Sequence, residues 1–216
     1  MPTLSLQPDG TVGVDAYLIS NTPNSNTGTS TDLLTGTLFL GGNSIYYRSL
    51  LRFDLSSIPS GVSAATLTLT KAGSVLDSPP QTFACYRLTQ TAWTETGVTW
   101  NRYDGTNTWT SAGGDYTTAL GHELVISSTA AMLAFSIPQL CADAVANRNG
   151  LLNVIVTGPQ TEGVSNYCNC ASSDHATSSL RPLLEVTYAV HTDAEAEWIC
   201  EKRDRADWTI DAARHG

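Results

Sequence analysis

The chain has 216 residues, 41% of them hydrophobic and 14% charged, and its 20 acidic and 11 basic side chains give a net charge of −9. That balance argues against nucleic acid or an anionic membrane surface as the main partner, and no apolar run approaches a bilayer span. Thr and Ser fill 50 positions while Lys fills two, the hydroxyl-rich make-up of an all-β domain. Met1 leads into Pro2-Thr3-Leu4-Ser5 with neither a basic start nor an apolar core, so no signal peptide is expected.

In chain order, the first strong element is Arg48 to Pro59. Leu51, Phe53 and Leu55 share one face of a strand there and Arg52 and Asp54 the other. Ile58-Pro59 ends it. Ala65 to Thr70 alternates with period two, which turns Leu67 and Leu69 inward. Phe83 to Leu88, Leu151 to Val156 and Leu183 to Tyr188 read as strands in the same way. Gly41-Gly42-Asn43-Ser44, Asp77-Ser78-Pro79-Pro80 and Gly113-Gly114-Asp115 carry turn chemistry between them. Ile137, Leu140, Cys141, Ala144 and Val145 recur at helical spacing, with Asn149-Gly150 as a stop, so one short crossover helix is expected. Five cysteines cannot all pair within the chain, and Cys168-Asn169-Cys170 sets two thiols on one strand face. Cys85, Cys141 and Cys168 are therefore read as small buried hydrophobes.

Composition changes near Ala189-Val190. Residues 190–216 hold 11 charges in 27 positions, against 20 in residues 1–189. Thr192-Asp193 can cap a helix through Ala194-Glu195-Ala196-Glu197-Trp198, with acids at its positive end. Two parts are expected: a β-sandwich over 1–189, and a charged tail over 190–216 that forms a docking helix. Trp198, Ile199 and Trp208 are the tail's candidate interface residues.

An ordered series of motifs runs through the body: Asp15-Ala16-Tyr17-Leu18, the Asn24 to Ser30 loop, Arg48 to Pro59, Ala64 to Leu69, Tyr86 to Glu95, Val98-Thr99-Trp100-Asn101, Trp109, Ala112 to Tyr116, and Arg181 to Tyr188. From about residue 4 to 189 this resembles the DNRLRE domain family, modules related to disaggregatase-type repeats. The resemblance implies a jelly-roll β-sandwich of two antiparallel sheets without catalytic activity. It also implies kinship with modules appended to polysaccharide-degrading enzymes or surface proteins, some of which bind acidic polysaccharide.

The segment Trp93 to Tyr116 is the most suggestive for ligand binding. Aromatic faces stack on sugar C–H faces while Asn, Asp and Arg hydrogen-bond hydroxyls. Trp93 and Trp100 are assigned to the core. Trp109, Tyr103, Arg102, Asp104, Asn107 and Asp115 are the candidate glycan ligands. Arg48 or Arg52 can clamp a sugar carboxylate through a bidentate pair, but the strand pattern favours a structural role for both. Asp15, Asp54, Asp104 and Asp115 offer hard oxygens for calcium, yet no Asp-x-Asp-x-Asp run exists and turn capping explains them better. No cofactor is therefore expected. With no Gly-x-Ser-x-Gly, His-Glu-x-x-His or phosphate loop, no enzyme is expected either. A virion structural protein comes first: a phage capsid decoration or tail adhesin on the particle surface, with its tail docked on a neighbouring subunit in a homo-oligomer or larger assembly. An extracellular carbohydrate-binding module that partners a polysaccharide-degrading enzyme is the alternative.

Overall fold

A computed structural model describes residues 1–75 and 80–190 of the chain. The tail with Trp198, Ile199 and Trp208, and most of the expected turn at 77–80, lie outside the described residues. Eleven strands and one α-helix are described: β1 Thr3–Leu6, β2 Val14–Ile19, β3 Asp32–Leu40, β4 Asn43–Asp54, β5 Val62–Val75, β6 Gln81–Leu88, β7 Tyr116–Ile126, β8 Met132–Ser136, α1 Pro138–Asn147, β9 Leu151–Thr157, β10 Asn166–Ala171 and β11 Leu183–Tyr188. Strands with period-two apolar patterns form where the sequence places them, and every described ladder is antiparallel. The protein is mostly β, a curled antiparallel sheet consistent with a jelly-roll sandwich.

One layer is built from β1, β11, β8 and the first part of β5. The other runs β10-β3-β4-β9-β6-β7, with β2 also on β4. Strand β5 joins the two, because Lys71 to Val75 leave the first layer to pair with β10. Between the layers, Leu67, Leu69, Leu133, Phe135, Leu184 and Val186 meet Leu51, Phe53, Phe83, Leu152, Val154 and Val156. Each large side chain buried there contributes about 1.5–3 kcal/mol over exposure.

The second layer is buried on its outer face as well. Leu50, Leu88 and Ile155, together with Ala16 and Leu18 of β2, pack beneath Trp93, Val98 and Trp109 from the long loop 89–115. This explains the near-continuous burial of β9 and the buried run at residues 49–51 of β4.

Helix α1 starts with Pro138 in its first turn, where a missing N–H costs nothing. It buries Leu140, Cys141 and Ala144. Its end matches the Asn149-Gly150 signal: both residues have positive φ, 52° and 78°, and the Gly150 N–H donates to the Ala144 carbonyl at 2.9 Å. Cys85, Cys141, Cys168 and Cys170 are buried free thiols. Burial pushes the Cys141 and Cys168 thiols up to about 12, so they pack as hydrophobes rather than react as thiolates.

Candidate functional site

Alternation along β4 sends Tyr46, Arg48, Leu50 and Arg52 to the outer face. Arg52 is tied into the structure through Nε and Nη2. Its Nε donates to Asn153 Oδ1 at 2.8 Å, and its Nη2 donates to the Thr91 and Trp93 carbonyls at 3.1 and 2.7 Å. Its guanidinium lies 4.7 Å from the Trp93 ring centre, and Trp93 Nε1 donates to the same Asn153 oxygen at 2.9 Å. The structural reading of this arginine holds.

Arg48 is different. Its Nη1 donates to the Gly113 carbonyl at 2.8 Å and its Nη2 to Gln160 Oε1 at 3.2 Å. One guanidinium thus ties loop 89–115 to the 158–165 loop that follows β9. Trp100 and Tyr116 flank it, with ring centres 5.2 and 5.6 Å away, a cation–π setting. Its Nε is buried without a partner. The ion pairs among the described residues all converge on Asp143, from Arg87 and Arg148, so no carboxylate of the described residues forms an ion pair with Arg48. Burial lowers its pKa from the ordinary value, but an arginine keeps its proton. The result is a partly desolvated cation with N–H capacity to spare.

Most of the predicted ligand residues serve the loop itself. Asp104 accepts from the Thr106 and Asn107 backbone N–H groups at 2.9 and 2.6 Å and from Asn107 Nδ2 at 2.7 Å. Those bonds hold its carboxyl below the usual range, Asn107 first. Asp115 accepts from the Thr110 and Ser111 N–H groups, both at 2.8 Å. Arg102 is exposed and donates to the Gly105 carbonyl at 2.9 Å. Tyr103 is half-buried, edge-on to Trp109 at 5.7 Å.

Trp109 corrects the expectation of a surface platform. It is 4% exposed, and its Nε1 donates to the Thr99 carbonyl at 2.9 Å. The indole belongs to the outer core because Leu50 and Ile155 present an apolar surface that the loop must cover. Trp93 is buried as expected, whereas Trp100 is only half-buried, beside Arg48.

Three clefts line up across this loop. One of about 440 Å³ and one of about 460 Å³ share Asn24 and Arg102 in their walls. The second adjoins a cleft of about 530 Å³ at Ala112, and that cleft is lined by Arg48, Thr89, Asp115 and Tyr116. Arg102 and Asp115 therefore fall along one polar track, whereas Asp104 and Asn107 are spent on a turn. Arg48, Tyr116 and Asn24 are functional candidates that the sequence ranking passed over. The Arg48 pattern was readable, but its two loop partners lie 65 and 112 residues away.

Near the same loop, Asp15 is 4% exposed. Its Oδ2 accepts from the Ser173 N–H at 2.8 Å, and its own N–H donates to Glu95 Oε1 at 3.0 Å. Burial pushes its pKa up to about 7, with Glu95 and Asp174 adding repulsion against the Ser173 hydrogen bonds. Asp54 is spent on the Ser56 N–H at 2.8 Å. Among the described residues no three His, Cys, Asp or Glu side chains are grouped to hold a metal ion.

Residues 10–188 match the model of carbohydrate-binding module family 96. No curated protein matches the chain.

Proposed function

The chain belongs to carbohydrate-binding module family 96, and from that premise we propose that it binds an acidic polysaccharide along the clefts of loop 89–115. Arg48 meets the sugar's anionic group. The observation that carries this is the state of Arg48: a half-buried guanidinium between Trp100 and Tyr116, without a carboxylate partner among the described residues, at the wall of a cleft of about 530 Å³. Such a cation gains most from a bidentate anion. Tyr116, 36% exposed, lines the same cleft with its ring stacked on Tyr86 at 5.6 Å, and Arg102 supplies a second cation at the other end of the track.

Modules of this kind are typically non-catalytic, in keeping with the lack of any catalytic motif in the sequence. The carbohydrate reading therefore displaces virion display as the leading one. Attachment to a particle and docking through the tail rest on the sequence alone.

Affinity electrophoresis through gels holding acidic or neutral polysaccharides tests the reading. Arg48→Met keeps most of the side chain's packing and removes its charge. It is expected to weaken binding to acidic polymers about tenfold to a hundredfold, since a hydrogen bond to a charged group contributes about 1.5–3 kcal/mol. Unchanged retention of a folded Arg48→Met protein would overturn the assignment.

A further inference from the structure

We infer that a separate cleft, beside the β3–β4 hairpin, is a second sugar subsite. It takes an uncharged ring of the same chain whose anionic group meets Arg48, and so it rests on the reading of the outer face as glycan-binding. The cleft holds about 510 Å³ and is lined by Phe39, Asn43, Ser44, Tyr46 and Glu162.

Two aromatic rings share one face there. The register pairs Thr37 with Tyr46 and Phe39 with Ser44, so Phe39 and Tyr46 are diagonal neighbours, about 7–8 Å apart at the backbone. Phe39 is 39% exposed and belongs to neither core cluster. An exposed phenyl ring and a half-buried phenol ring at this spacing offer an apolar platform for the C–H face of a pyranose.

The cleft's walls are held in place before any ligand arrives. Thr37 Oγ1 donates to the Pro159 carbonyl at 2.6 Å, the Gly163 N–H donates to Ser44 Oγ at 3.0 Å, and the Phe39 N–H donates to Ser165 Oγ at 3.0 Å. Loop 158–165 is thus clamped across the hairpin, which lowers the ordering cost of binding. Ser44 Oγ accepts in its bond, so its own proton stays available to a ligand oxygen. Glu162 forms none of the described ion pairs and can accept from sugar hydroxyls. Its negative charge disfavours a uronate at this position.

The placement links this cleft to the first. Tyr46 and Arg48 are successive outer-face positions of β4, about 7 Å apart. Gln160, which holds Arg48, lies two residues before Glu162. The two clefts therefore flank the Arg48–Gln160 hydrogen bond, and one polymer laid along β4 meets an anion-seeking position and then an anion-averse one.

The experiment is affinity electrophoresis of the 216-residue protein against polygalacturonate, hyaluronan, xanthan and a neutral xyloglucan. Hyaluronan and xanthan mix charged with uncharged sugars, whereas polygalacturonate is charged throughout. The wild type is expected to favour the mixed polymers. Phe39→Ala is expected to lower that binding up to about tenfold and to leave polygalacturonate unaffected. Glu162→Gln is expected to strengthen polygalacturonate binding. Circular dichroism checks that each variant is folded. Retention that Arg48→Met abolishes but Phe39→Ala leaves unchanged on every polymer overturns the subsite alone. No retention of the wild type by any polymer overturns both readings.

Discussion

Asp15→Asn isolates the most perturbed carboxyl among the described residues. The group is 4% exposed and its pKa is pushed up to about 7, chiefly by burial. In the unfolded chain an aspartate titrates near 3.9. The folded protein therefore holds this proton more tightly than the unfolded chain does. Between about pH 4 and pH 7 the folded state binds more protons, so stability falls as pH rises through that window. A rise from about 4 to about 7 corresponds to about 4 kcal/mol, fully lost above pH 7. Glu95, whose carboxyl is also raised by burial, adds in the same direction. Asparagine keeps an oxygen to accept the Ser173 N–H but cannot ionise. Urea unfolding at pH 4, 5.5, 7 and 8 reads the effect. The wild type should lose stability across the series, and Asp15→Asn should be more stable than wild type by about 2–4 kcal/mol at pH 8 and close to it at pH 4. A variant whose stability tracks the wild-type pH slope would refute the assignment of that slope to Asp15.

Two further perturbations test the packing. Trp109→Phe should cost about 1–3 kcal/mol in urea unfolding, because the Thr99 carbonyl loses its buried donor. Gly150→Ala should cost about 2 kcal/mol or more and lower the melting temperature. Its φ of 78° disfavours a side chain, and a Cβ there would meet the Ser56 backbone.

The elements with a clean period were legible in the sequence. Leu67 and Leu69 sit in the core, α1 buries Leu140, Cys141 and Ala144, and Asn149-Gly150 ends that helix. Loop 89–115 was legible as a place but not in its detail. Whether an indole in a loop faces in or out has no period to report it. Trp109 turned inward because the outer face carries an apolar patch at Leu50 of β4 and Ile155 of β9, visible as Leu50 beside Leu51 and Ile155 between Val154 and Val156. That doubled apolar pattern was the available signal that the loop had a sheet face to cover. The polar loop residues misled for a related reason: a short carboxylate such as Asp104 or Asp115 reaches nearby backbone N–H groups before it reaches a ligand. Arg48 needed the tertiary structure, since its role comes from Gly113 and Gln160 in loops remote from it along the chain.

The ladder between β1 and β11 fixes how this module answers a pull. Thr3 lies opposite Thr187, Leu6 lies opposite Leu184, and the pairing is antiparallel. A tether at residue 2 and another at residue 189 therefore attach at the same end of a four-pair ladder. Tension between them opens the rungs one after another, like a zipper, instead of shearing all of them together. β1 should detach at low force while the remaining β-body, with the clefts of its outer face, stays intact, since β11 is still held by β5. Such a strand would act as a mechanical fuse, taking up the first extension before the load reaches the rest of the fold.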